Sequence, residues 1–119
     1  MNLDQNKWHK DFQLNGVSFD NVDEILLYSK DFSLEIHNFL VNWFSEDIII
    51  NVQTSGSTGK PKPIQLKKEL MINSAKATGI FFDAKENTTA LLCLPIQYIA
   101  GKMMLIRALA LGWHLDIVA

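Results

Sequence analysis

Apolar positions along this chain recur at two spacings, one of two residues and one of three to four, and the switches between them outline its elements. In residues 11–19, Phe12, Leu14, Val17 and Phe19 flank Asn15-Gly16. That pair is favoured in two-residue type I′ turns, so a hairpin is expected. Asp20 or Asn21 can cap a helix carrying Val22, Ile25, Leu26 and Tyr28 on one face. A second helix is expected from near Ser33 to about Phe44, with Leu34, Ile36, His37, Leu40, Val41 and Phe44 as its apolar stripe. His37 on that stripe reads as a satisfied packing residue, and Trp43 and Phe44 as core. Residues 48–53 are apolar and β-branched, a strand entering a core. Residues 63–67 alternate and form a short returning strand. Residues 68–79 have helical spacing, with Leu70, Met71, Ser74, Ala75 and Thr78 to one side, and Ile80-Phe81-Phe82 can add a turn.

Residues 83–87 are a polar connection. Residues 88–94 are a nearly unbroken apolar run, which predicts a strand in a sheet covered on both faces. Residues 100–111 predict a helix with Gly112 as its C-cap, and a further strand begins at Trp113. Strand, helix, strand over residues 88–118 is a βαβ unit, so its strands should be parallel with a right-handed crossover. The expected fold class is α/β, with helices packed on a mostly parallel sheet.

Composition narrows the class. With 119 residues the chain is at most one domain, large enough to bury a core. Its 48% hydrophobic and 20% charged residues are ordinary for a globular protein. A net charge of −2 argues against a nucleic-acid partner. The single cysteine, Cys93, sits in an apolar run and reads as a buried structural thiol. The N-terminus has neither a basic nor an apolar signal region, and no apolar run reaches the roughly 18 residues that span a bilayer. A cytoplasmic location without membrane contact is the expectation.

The chemistry concentrates in residues 54–62, Thr54-Ser55-Gly56-Ser57-Thr58-Gly59-Lys60-Pro61-Lys62. No apolar side chain interrupts the serines, threonines, glycines and lysines. Gly56 and Gly59 permit positive φ and a close approach, which makes a nest of backbone N–H donors for phosphate oxygens. Ser55, Ser57 and Thr58 add hydroxyls, and Lys60 and Lys62 add positive charge. The NTPase P-loop pattern fails here, because its first glycine would fall at Thr54 and its last hydroxyl at Pro61. Ser57 and Lys60 match the Ser-x-x-Lys of penicillin-binding enzymes, but Gly59 and Pro61 disfavour the helix that motif needs. An exposed polar turn remains the plain alternative.

Residues 54–62 resemble the phosphate-binding signature of adenylate-forming enzymes, Ser/Thr-Ser-Gly-Ser/Thr-Thr-Gly-x-Pro-Lys, and satisfy every position of it. The resemblance implies that the loop closes over the β- and γ-phosphates of ATP while a carboxylate is activated. It implies ATP and magnesium as cofactors, a small-molecule carboxylate as substrate and coenzyme A as co-substrate. Thr54, Ser55, Gly56, Ser57, Thr58, Gly59, Lys60 and Lys62 would bind the nucleotide, with Lys60 as the catalytic candidate. No residue here is assigned to a metal.

A second block, Leu94-Pro95-Ile96-Gln97-Tyr98-Ile99-Ala100-Gly101, resembles the family's Leu-Pro-Leu-Phe-His segment, with Gln97 and Tyr98 in place of the Phe-His pair. The resemblance implies that Tyr98, Ala100 and Gly101 line the acyl pocket. Tyr cannot carry a proton near neutral pH as His can, so only the lining role carries over. Lys102 and Arg107, on an otherwise apolar helix, read as solvated or snorkelling. The block looks most like the o-succinylbenzoate–CoA ligase branch, which implies menaquinone synthesis. Enzymes of this kind are several times longer, so the chain reads as an N-terminal fragment of the AMP-binding domain, inactive alone. A truncated sheet exposes edges and apolar faces, so the fragment is expected to associate with itself. Three alternatives stand beside this reading: another acyl- or aryl-CoA synthetase, a non-catalytic nucleotide- or phosphate-binding module, and a serine acyl-transferase using Ser57 and Lys60.

Overall fold

Turn chemistry sets the first element. The computed structural model describes residues 7–54, 60, 62–81, 85–93 and 96–117. In it Asn15 and Gly16 carry φ of 53° and 82°, the left-handed pair a type I′ turn needs. They join β1 (Gln13–Leu14) to antiparallel β2 (Val17–Ser18). The Asn15 N–H donates to Leu115 O, and its Oδ1 accepts from Ile117 N, each at 2.8 Å. The turn thereby extends the parallel ladder of β1 with β6 (His114–Ile117).

On the other side of β6 lies β5 (Thr89–Leu92), also parallel, giving the order β2-β1-β6-β5. Only β1 and β2 run antiparallel, so this sheet is mostly parallel, as expected. Between β5 and β6 runs α4 (Ile99–Leu111), ended by Gly112 at φ 73°. One expectation fails here. Leu91 is 58% exposed and Thr89 faces outward, because only one face of β5, that of Ala90 and Leu92, packs on the core. Cys93, which follows, is likewise exposed rather than buried.

Two helices precede the hairpin that carries the candidate loop. The first, α1 (Val22–Phe32), begins where Asn21 Oδ1 accepts from Glu24 N at 2.9 Å, while Glu24 Oε1 accepts from Asp20 N at 2.7 Å. This reciprocal exchange satisfies donors that a helix start leaves open. Ser33 ends α1 and starts α2 (Leu34–Phe44): its N–H donates to Ser29 O, and its Oγ accepts from Ile36 N. The buried face of α2 is Ile36, Phe39, Leu40 and Trp43, whereas Leu34 and Val41 are exposed. The stripe is therefore rotated from the expected one, with the larger aromatic rings turned inward. His37 packs as expected, its Nδ1 3.0 Å from Leu26 O.

Lysines close the far end of α2. Its last turn holds no basic residue. Instead Lys68, fully buried at the start of α3 (Lys68–Phe81), donates to Asn42 O, Ser45 O and Ser45 Oγ at 2.6, 3.0 and 3.3 Å. Lys7, also buried, donates to Ser45 O at 2.9 Å. Both ammoniums sit where the helix dipole is negative. The buried face of α3 is Lys68, Met71, Ile72, Ala75 and Gly79, so Leu70 and Ser74 lie outside it. Trp43, Ile50, Val52, Leu105, Leu109 and Leu115 join one core, where each such side chain contributes about 1.5–3 kcal/mol. No helix of the described residues is long and apolar enough to cross a membrane.

Candidate functional site

The candidate loop hangs from a two-stranded antiparallel sheet. In β3 (Ile49–Thr54) and β4 (Lys62–Lys67) the register runs from Ile49 opposite Lys67 to Thr54 opposite Lys62. Ile50 and Val52 are buried while Asn51 and Gln53 are exposed, an alternation that lays one face on the core. At the opposite end Lys68 N donates to Ile48 O at 2.9 Å, fixing where the hairpin leaves the helix. The structure therefore brings Thr54 and Lys62 together as the last pair. Lys60 and Lys62 are exposed and make no ion pair with the described residues. Ser55, Gly56, Ser57, Thr58 and Gly59 lie outside the described residues.

The second block follows the carboxyl end of β5, where open α/β sheets carry ligands. Ile96 is buried, Gln97 exposed and Tyr98 half-buried. Tyr98 is the N-cap residue of α4 in an extended conformation, φ −104° and ψ 159°, and its side chain makes no capping bond. Ala100 is exposed and Gly101 buried, on successive positions of the first turn.

Between the hairpin and this block opens a cleft of about 360 Å³ with a floor of Phe39, Ile50 and Ile96. Glu35, Asn38, Asn42, Asn51, Gln97 and Lys102 form its polar rim. None of Lys60, Lys62, Tyr98, Ala100 and Gly101 lines it. The described members of the two sequence-predicted groups thus stand on separate elements, outside the lining of the cleft.

Lys102 is what sequence reasoning missed. Its side chain is half-buried and folds back, so that Nζ donates to Ile96 O at 2.8 Å and Gln97 O at 3.0 Å and lies 5.8 Å from the centre of the Phe39 ring. Burial lowers its pKa from the ordinary lysine value, and the negative charge of Glu35 raises it in part. Arg107 is also not simply solvated, since its Nε is buried without a hydrogen-bond partner. The signal for Lys102 was a charge in the first turn of an otherwise apolar helix. Among the described residues no group of three or more His, Cys, Asp or Glu is placed to hold a metal ion.

The family profile described as AMP-binding enzyme matches residues 6–119. No curated protein matches the chain. Among solved structures, an acyl-CoA synthetase (AMP-forming)/AMP-acid ligase II-like protein from Dyadobacter fermentans is 38% identical, with a TM-score of 0.66. The match covers 71% of this chain and 24% of that one, so the chain spans about a quarter of that protein's length. The Vibrio cholerae adenylation domain AlmE, solved with glycyl-adenosine-5'-phosphate, is 22% identical over 70% of this chain and 16% of its own, at a TM-score of 0.48.

Proposed function

This chain belongs to the AMP-binding enzyme family, and from that premise we propose that it forms the phosphate-binding part of an ATP-dependent carboxylate–CoA ligase. The single observation that supports the reading is the pairing of the two ends of residues 54–62. Thr54 and Lys62 are the last pair of a hairpin seated on the core. A connection rich in glycine, hydroxyls and lysine between those ends would offer backbone donors and ammoniums to one anion.

The chemistry asks little covalent work of the protein. A carboxylate oxygen attacks the α-phosphorus of ATP; that O–P bond forms as the bond to the bridging oxygen breaks, and pyrophosphate leaves. The thiol of coenzyme A then attacks the acyl carbon of the adenylate, losing its proton, and AMP leaves. Positioning and neutralisation of charge are the protein's task. Lys60, with Thr54, Ser55, Gly56, Ser57, Thr58 and Gly59, would hold the departing pyrophosphate, and Lys62 would add to the field. Tyr98, Ala100 and Gly101 would bound the acyl side. Magnesium, which the family implies, would neutralise charge on the phosphates of ATP when bound.

The branch we infer is o-succinylbenzoate–CoA ligase of menaquinone synthesis, acting in the cytoplasm. The support is the wording of residues 98–104, Tyr-Ile-Ala-Gly-Lys-Met-Met. ATP–pyrophosphate exchange by the full-length protein tests this with o-succinylbenzoate against other aryl and fatty acids. Exchange with o-succinylbenzoate alone is expected, and Lys60→Ala should lower its rate by about a hundredfold. Exchange with a different acid would discard the branch and keep the chemistry. No exchange with any acid would discard both. The 119-residue chain by itself should catalyse none.

A further inference from the structure

We propose that Lys102 is a positioning residue that fixes the turn of residues 96–98 and, through it, the seat of the carboxylic acid. The acid part of this inference rests on the acid-activation reading above.

Three successive carbonyls of that turn accept from this one residue. Lys102 Nζ donates to Ile96 O and Gln97 O, and the Lys102 backbone N–H donates to Tyr98 O at 3.1 Å. A lysine on the first turn of a helix has solvent within easy reach, yet this one folds back on the chain just before it. Two carbonyls converging on one point need a donor with several protons and no fixed direction, which an ammonium supplies. The ring of Phe39 backs it from α2, so the tie links the turn to a second element as well as to α4.

Tyr98 is joined to this tie through the main chain. It caps α4 with no side-chain bond to the helix. Without the ammonium, the carbonyl of exposed Gln97 would turn to water, and the peptide leading into Tyr98 would turn with it. The hairpin that carries Lys60 and Lys62 is held by its own ladder and would not follow. Lys102 therefore governs the acid side of the reaction and not the nucleotide side.

Full-length protein carrying Lys102→Met, which keeps the apolar stem, and Lys102→Arg, which restores several donors, decides the matter. Amide hydrogen exchange is measured on peptides across residues 96–101 and 105–111, alongside KM for the acid and for ATP in pyrophosphate exchange. The expected result for Lys102→Met is exchange about tenfold faster in residues 96–101 alone, with a KM for the acid about tenfold higher and an unchanged KM for ATP. Lys102→Arg should recover most of both. Unchanged hydrogen exchange across 96–101 would overturn the proposal. So would faster exchange along all of α4, or an equal rise in both KM values, since either marks a purely structural role. If the wild-type protein activates no acid, the acid-activation reading fails on its own, and hydrogen exchange still decides whether Lys102 holds the turn.

Discussion

Two buried lysines share one carbonyl at the end of α2, and that sharing has a measurable signature. Lys68→Met retains the apolar stem and removes its donated bonds to Asn42 O, Ser45 O and Ser45 Oγ. Neither of these two backbone acceptors is stranded by it. Asn42 O still accepts from Ser45 Oγ at 2.7 Å and Ser45 N at 3.2 Å, and Ser45 O still accepts from Lys7 at 2.9 Å. Charged hydrogen bonds contribute about 1.5–3 kcal/mol each, but an ion released to water in the unfolded chain recovers much of that. The single variant should therefore cost about 2 kcal/mol, and Lys7→Met, which gives up the bond to Ser45 O, at least about 1 kcal/mol. In the double variant Ser45 O loses both ammoniums, which adds the penalty of a part-buried carbonyl left without either donor, toward the lower end of about 1–3 kcal/mol. The pair should thus be more destabilising than the sum of its parts by at least about 1 kcal/mol.

Urea unfolding followed by tryptophan fluorescence reads this directly, because fully buried Trp43 donates its Nε1–H to Lys7 O at 3.1 Å beside the site. The four proteins must show equal m-values for the comparison to hold. Additivity within about 0.3 kcal/mol would refute the shared carbonyl as the currency of the effect. A Lys68→Met protein more stable than wild type would show that desolvation of the ion outweighs its bonds, and would refute the whole account.

Three further outcomes are expected. Gly112→Ala should cost about 2–3 kcal/mol, combining left-handed strain at φ 73° with a Cβ only 2.6 Å from His9 Nδ1, the ring atom that accepts from Asp11 N; in a His9→Ala background the thermal unfolding difference should fall to the strain alone. Burial holds the Lys102 pKa below its unfolded value, so the unfolded chain keeps the proton longer, and the stability of wild type relative to Lys102→Met should rise with pH just below the ordinary lysine pKa; a flat difference in unfolding titrations would contradict this. Light scattering of the 119-residue chain at high concentration should give a mass above the monomer, since Ile80 is 83% and Leu91 58% exposed, and a monomeric mass would count against self-association.

What the sequence disclosed was local chemistry. Asn15-Gly16 forms its turn, Ser33 ends one helix and begins the next, and Gly112 takes the left-handed cap, because each outcome depends on a few neighbouring backbone groups. The parallel pairing of β5 with β6 followed from the helix between them. Which faces of the sheet are covered was not legible. The run containing Leu91 and Cys93 reads as covered on both faces, and nothing in its own residues marks one face as open. Trp43 is core as expected, but the phase of α2 was missed because Phe39 displaces Leu34 and Val41 from the core only once neighbouring elements are in place. At the candidate site, the pairing of Thr54 with Lys62 was foreseeable from the two flanking strands. The roles of Lys68 and Lys102 were hidden because both donate to main-chain carbonyls, which leave no mark in the side-chain sequence.

The ladder between β1 and β6 also orders the birth of the molecule. It bonds Asn15 to Ile117, 102 positions apart, and closing a loop of about 100 residues costs roughly 4 kcal/mol of chain entropy. The α1–α2 pair and the β3–β4 ladder close over short separations and can form as they are made. By contrast, β1 has only two residues and a two-residue partner, too little to stand alone in water. Phe12 and Leu14, fully buried at the end, therefore wait for about 100 further residues to be made, until β6 arrives beside them. Among the described elements the first apolar segment to emerge is one of the last to be sheltered, which makes it a natural place for a chaperone to hold the nascent chain.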